Sequence, residues 1–219
     1  MGMLLLVRHG QGSMGTSDYD QLSELGYRQA RSVGARLAHA DLVVNRVWCG
    51  GLARQRETAR VVLAELGLPP SDLHTDDRLD EYDHVGVLGG DSAGDPFASA
   101  TTPASRRAVQ VALDHAIGRW IQGGAGYPET HSAFTARVEA AVAGLAALPG
   151  TTVAVTSAGV IAVACAQLVG LPADRWPALA RVGVNASITK LITGRTGTHL
   201  LTFNDHAHLE GDRSLITYR

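Results

Sequence analysis

The stretch Met3-Leu4-Leu5-Leu6-Val7-Arg8-His9-Gly10-Gln11-Gly12-Ser13 decides how the rest of this chain reads. Five apolar residues in succession, Met3 to Val7, are far too few to cross a bilayer, which takes about 20. They read as a β-strand buried on both faces, the pattern of a parallel sheet. The strand ends in Arg-His-Gly, and charged groups at the carboxyl end of such a strand lie where open α/β sheets bind ligands. Gly10 permits a sharp turn and brings backbone N–H groups close to a ligand. Arg8 offers a planar fork suited to phosphate oxygens. His9 offers an imidazole nitrogen that is neutral at pH 7, fit for a nucleophile, a base or a metal ligand. The same residues also fit a buried strand followed by a solvated polar turn.

The composition bounds the answer. A chain of 219 residues fits a single domain, 1–219, with a substantial core. Its 45% hydrophobic and 18% charged residues are ordinary for a soluble globular protein. A net charge of −2 points to neither nucleic acid nor an anionic membrane as partner, so affinity for an anion has to come from local placement of arginines. Cys49 and Cys165 sit in apolar surroundings without metal-ligand spacing and read as reduced packing residues of a cytoplasmic protein. The expectation is also of no cleaved leader, and Leu6 stands where myristoylation needs Ser or Thr.

Along the chain, residues 11–21 form a Gly/Ser/Asp-rich loop. Leu22, Leu25, Ala30, Val33 and Leu37 then recur at helical spacing behind Ser23 as N-cap, predicting a helix to about His39. Residues 43–49 read as a second strand. Gly50-Gly51 breaks it, and residues 52–66 form a helix closed by Gly67 and Pro69-Pro70. Residues 67–104 are irregular, as functional or disordered loops are. Helices follow over 106–121 and 134–148, separated by the Gly123–126 break. A β-branched strand at 152–156 leads into a helix over 158–169. Residues 185–193 and 200–203 form a hairpin around Gly194 and Gly197. The strand–helix rhythm predicts an α/β fold: a mainly parallel central sheet with helices on both faces, and an excursion over about 82–148 covering the site.

Six segments carry a resemblance. They are Leu-Val-Arg-His-Gly-Gln at 6–11, Leu-Ser-Glu-Leu-Gly-Tyr-Arg-Gln-Ala at 22–30, Gly-Leu-Ala-Arg-Gln-Arg-Glu-Thr-Ala at 51–59, Leu-Asp-Glu-Tyr-Asp-His at 79–84, Val-Thr-Ser-Ala-Gly-Val-Ile at 155–161 and Phe-Asn-Asp-His-Ala-His-Leu at 203–209. In order and spacing the chain resembles the histidine phosphatase superfamily, which includes the cofactor-dependent phosphoglycerate mutases and many small phosphatases. The resemblance implies a phosphohistidine on His9, a phosphate clamp of Arg8 and Arg54, and Glu81 as general acid. It implies no cofactor and no metal, and a small phosphorylated molecule or a phosphoprotein as partner.

One segment departs from the family's pattern. Where a second histidine and a glycine follow the strand in relatives, this chain has Ser157 and Ala158. Serine still donates one hydrogen bond to a phosphate, but it is short and neutral. Loss of such a donor in other enzymes costs about 10²–10³ in rate. The expectation is that Arg8, His9, Arg54, Glu81 and Ser157 converge on one pocket, with His84 reaching into the gap that serine leaves. Gln11 and Ser13 either hydrogen-bond the phosphate or shape the turn. By local sequence alone, Arg54 also fits a solvated helix arginine, Glu81 an exposed acid, and His84 a surface histidine pairing with Asp83. His206-Ala207-His208 has a metal-site spacing that no other ligand set completes, and fits local capping and packing. Gly86, Gly89 and Gly90 lack the strand–turn–helix context of a dinucleotide fingerprint. A phosphatase is expected over a mutase, because mutases carry additional closing segments and a tail. A phospho-ligand-binding pseudoenzyme is the alternative that Ser157 supports.

Overall fold

The computed structural model describes residues 2–13, 20–89, 100, 102–124 and 126–218. Strand β1 (Gly2–Arg8) lies inside a six-stranded mixed sheet. It pairs in parallel with β4 (Gly150–Thr156) and antiparallel with β5 (Ile188–Gly194). Beyond β4 come β2 (Val44–Cys49) and the short β3 (Leu73–Thr75), both parallel. Beyond β5 comes β6 (Gly197–Asp205), antiparallel to it, which gives the order β3-β2-β4-β1-β5-β6. Three of the four parallel strands, β1, β2 and β4, and the closing hairpin match the sequence expectation. Strand β3 was not expected: three residues inside an irregular stretch are too few to show alternation.

Strand β1 feeds two cores because successive side chains point to opposite faces. Leu5 and Val7 join Val47, Val153, Val155 and Ile188 under helices α1 (Glu24–Ala38) and α2 (Ala53–Glu65). Leu4 and Leu6 join Ala154 and Leu191 on the other face. That face is covered by α4 (Pro103–Ile121), α5 (His131–Ala146) and α6 (Ala158–Leu168), while the five-residue α3 (His84–Leu88) precedes α4. Burial on both faces is why the strand reads as an unbroken apolar run. Each such side chain contributes about 1.5–3 kcal/mol. The second face also holds an aromatic cluster: Tyr82 meets Phe134 edge-on at 5.6 Å and Trp176 at 5.8 Å.

Caps set the helix starts. Ser23 accepts from Gly26 N–H at 3.0 Å, as its position implied. Helix α4 begins three residues before the apolar pattern does, because Thr102 and Ser105 form a capping box around Pro103. Thr130 likewise starts α5 ahead of Phe134. Helix α7 (Trp176–Val182) was not expected; its seven residues bury only Trp176, so no apolar stripe announces it. Residues 90–99, part of the predicted irregular segment, and Ala125 of the glycine break lie outside the described residues.

Gln29 on α1 ties the two ends of the chain together. It is fully buried, accepts from Gln11 N–H at 2.8 Å, and donates to Leu215 O and Thr217 Oγ1, both at 2.8 Å. A buried amide that satisfies three partners at once fixes the loop after β1 against the C-terminal segment.

Candidate active site

The carboxyl ends of three adjacent parallel strands supply the site. Arg8 is the last residue of β1, Arg54 lies in the first turn of α2 after β2, and Ser157 stands at the N-cap position of α6 after β4 without a side-chain capping bond. A cavity of about 290 Å³ opens there, lined among others by Arg8, His9, Arg54, Glu81 and His84. Four of the five residues expected to converge therefore do so, joined by His84. The fifth, Ser157, is 0% exposed and lies beneath the cavity wall, where its Oγ accepts from Gln55 Nε2 at 2.9 Å. The expectation of Ser157 on the pocket wall is corrected accordingly: a short hydroxyl is held by the neighbouring amide and does not reach past it. Gln11 is also absent from the wall, since its Oε1 accepts from the hydroxyl of Ser23 at 3.0 Å.

His9 is 6% exposed, and both its ring nitrogens are engaged. Nδ1 lies 2.7 Å from Gly10 O, which requires the proton on Nδ1 and leaves the lone pair on Nε2. That lone pair accepts from Arg54 Nε at 3.1 Å. Burial, and then the charges of Arg54 and Arg8, push the His9 ring well below its ordinary 6.5. The imidazole is thus held neutral, with Nε2 aimed into the arginine pair. The backbone behind it is braced: His9 N–H donates to Thr156 O at 2.9 Å, and Asn185 Nδ2 donates to His9 O at 3.3 Å.

Gly10 serves differently from expectation. Its N–H donates to Thr58 Oγ1 at 3.0 Å instead of facing the cavity, and a Cβ there would stand 2.5 Å from Gly26 O. The glycine pair lets the loop pack directly on α1.

The arginines are oriented by partners the sequence did not single out. Asp20 places Oδ1 2.7 Å from Arg54 Nη1, and its Oδ2 accepts from Ala53 N–H at 2.7 Å, so one carboxylate caps α2 and aims the guanidinium. Arg8 Nη1 donates to Tyr218 O at 2.9 Å and also to Gly183 O. The C-terminal segment therefore returns to the site, and Tyr218 lines the cavity. Two further arginines of α2 are engaged elsewhere: the half-buried Arg56 bonds Gly51 O, and the exposed Arg60 pairs with Glu57.

Glu81 enters from the segment before α3. Its Oε2 accepts from Gly159 N–H, the second residue of α6, at 3.0 Å. A Cβ on Gly159 would lie 2.2 Å from Glu81 Oε1, so only glycine leaves room for this carboxylate. Asp83 does not pair with His84; it caps α3 through the N–H groups of Val85 and Gly86, and His84 turns onto the cavity wall. His206 and His208 engage Asn204 O and Ala186 O respectively, the latter at 3.0 Å, which is the packing use their spacing allowed.

The neutral state of His9 has a pH signature. An unfolded histidine takes up its proton near 6.5, whereas folded His9 does so well below that value. Between the two the unfolded chain binds more protons. The stability His9 contributes is therefore complete above pH 6.5 and is lost as pH falls, by about 1.4 kcal/mol per unit. His131 and His208, also lowered by burial, act with the same sign. Nitrogen-15 NMR should show His9 passing pH 6.5 unprotonated; a midpoint at 6.5 would contradict the buried, arginine-flanked geometry.

With fold and geometry established, the chain belongs to the histidine phosphatase superfamily (branch 1), whose sequence profile matches residues 4–206. Among solved structures it is similar to mycobacterial glucosyl-3-phosphoglycerate phosphatase, with 27% identity, TM-score 0.63, and coverage of 94% of this chain and 99% of that one. Bacillus stearothermophilus YhfR shares the fold at TM-score 0.70 and 21% identity, over 95% of this chain and 100% of that one. Among curated proteins, a 2,3-bisphosphoglycerate-dependent phosphoglycerate mutase of Parvibaculum lavamentivorans is 32% identical over 93 residues. That match covers 40% of this chain and 44% of the mutase, less than half its length. Among the described residues, no helix is long and apolar enough to cross a membrane.

Proposed function

We propose that this protein is a phosphatase that hydrolyses a small phosphomonoester through a phosphohistidine on His9. The observation that carries the reading is the His9 ring itself, its Nδ1 proton committed to Gly10 O and its Nε2 lone pair directed at the arginine clamp. Nε2 attacks phosphorus in line as the P–O bond to the leaving group breaks. Arg8 and Arg54 hold the equatorial oxygens, with Arg54 Nε transferring its hydrogen bond from His9 to the phosphoryl group. Protonated Glu81 gives its proton to the departing oxygen. As carboxylate, Glu81 then takes a proton from water, which attacks phosphorus, breaks the P–N bond and releases phosphate. His84 donates to a phosphoryl oxygen from the side that Ser157 leaves open, while Ser157 and Gln11 act from behind the wall. The charge of the phosphoryl group is balanced by guanidinium groups, so no metal is required.

The protein acts as one cytoplasmic domain on a small molecule. Its cavity lies at the lower end of the size range for small-molecule sites. The phosphatase name borne by the mycobacterial structure, which spans nearly this whole chain, supports hydrolysis over the partial mutase match. Ser157 favours one second reading, a phospho-ligand-binding protein with weak turnover. The two separate in an assay with p-nitrophenyl phosphate. The phosphatase turns it over with and without chelator, and the binding protein shows no phosphate release while still protected by inorganic phosphate against thermal unfolding.

A further inference from the structure

The cavity lining also holds a polar group that the phosphoryl chemistry does not use. Gln110 and Asp114, one turn apart on α4, form it together with Arg181 of α7. Gln110 Nε2 donates to Asp114 Oδ1 at 2.7 Å, and Asp114 Oδ2 lies 3.0 Å from Arg181 Nη2. A carboxylate only accepts, so the amide nitrogen of Gln110 has to face Asp114, which turns Oε1 away from it. That Oε1 is buried and has no hydrogen-bond partner among the described residues. A buried acceptor without a partner costs free energy, which a ligand able to donate to it would recover.

The charges of this wall say what kind of donor fits. Arg181 is already balanced by Asp114, so the wall is a neutral pair with a carboxylate in its centre. A second acidic group on the substrate would meet no free cation among the described residues of this wall and would face the Asp114 carboxylate. A hydroxyl suits it on every count, donating to Gln110 Oε1 or Asp114 and accepting from the Arg181 guanidinium. The same lining carries the apolar side chains Leu113, Ile117 and Trp176, which suit the C–H face of a ring or chain. We infer that the substrate is a monophosphate of a neutral polyhydroxylated molecule, a sugar or polyol, whose hydroxyls are read by Gln110, Asp114 and Arg181. This rests on the reading of the same cavity as a phosphomonoester site.

Non-hydrolysable phosphonates separate the two readings, because they report binding whether or not the enzyme turns over. Calorimetry on the intact protein compares the isosteric phosphonate of glucose 6-phosphate with 3-phosphonopropionate, which carries a carboxylate in place of hydroxyls. The polyhydroxylated phosphonate should bind at least about tenfold more tightly, the discrimination expected when a built acceptor finds its donor. Gln110→Leu should remove most of that ratio. Asp114→Asn, which frees the amide to flip, should do the same and stands in if the leucine variant does not fold. Tighter or equal binding of the carboxylated phosphonate, or a ratio that survives both substitutions, would overturn the inference. Failure of the phosphatase reading would show separately, as absent hydrolysis of p-nitrophenyl phosphate alongside an intact phosphonate preference.

Discussion

Replacing Arg54 with alanine is expected to lower kcat/KM for a phosphomonoester by about 10³–10⁵-fold, the range seen when an arginine that stabilises a transferring phosphoryl group is lost. Three effects act together. The phosphate loses one side of its clamp. His9 Nε2 loses the donor that holds its lone pair on the attack line at 3.1 Å. The Asp20 carboxylate, now 2.7 Å from nothing positive at the former Nη1 position, turns a repulsive charge toward the incoming dianion. Two controls follow from that geometry. Arg54→Lys should recover little, because one ammonium cannot serve His9, Asp20 and phosphate as a planar fork does. Adding Asp20→Asn to Arg54→Ala should recover part of the loss by removing the stranded charge. Steady-state kinetics on the three variants decides it, and a loss below tenfold in Arg54→Ala would place the arginine outside the clamp.

The second large effect concerns the proton. Glu81→Gln keeps the shape of the side chain and removes its acidity, so it should lower kcat on an alkyl monoester by about 10²–10⁴-fold. An aryl ester with a good leaving group needs the acid less and should lose much less. Gly159→Ala should give the same pattern without touching the acid, because its Cβ would stand 2.2 Å from Glu81 Oε1 and would force the carboxylate off its seat. Kinetics on a matched alkyl and aryl pair checks both variants. Equal losses on the two esters would mean that Glu81 binds substrate and does not deliver the proton, and an unaffected Gly159→Ala would mean that the carboxylate works from elsewhere.

How far the sequence went can be traced residue by residue. The unbroken run Met3–Val7 announced a strand buried on both faces, and β1 does feed two cores through Leu4/Leu6 and Leu5/Val7. Ser23, Gly67 and the Gly194/Gly197 turn were legible because caps and turns depend on local chemistry. Strand β3 and helix α7 were not, being too short to show a period and placed by their neighbours. In the site, the basic pair Arg8-His9 ending a strand had a local signature, whereas Arg54 and Glu81 stood out through the family resemblance, their local sequence fitting a solvated arginine and an exposed acid as well. The residues that aim them had neither. Asp20, Gln29 and Gln55 are ordinary polar residues in their own segments, and only the fold brings them to Arg54, to the C-terminal segment and to Ser157. Ser157 shows the limit most clearly. Its place in the chain set it at the end of β4, but whether a hydroxyl there faces phosphate or an amide depends on Gln55, 102 positions away in sequence.

The mechanism turns on phosphorylation of His9 Nε2. The most direct measurement is to quench the enzyme with a phosphorus-32-labelled monoester, or with an excess of a fast aryl phosphate, and to locate the label by peptide mapping. A P–N bond is broken in acid, where its nitrogen is protonated into a good leaving group, and survives base. An acid-labile, base-stable phosphate is expected on the peptide carrying His9, absent from His9→Ala. Label on a serine hydroxyl, or hydrolysis undiminished in His9→Ala, would contradict it.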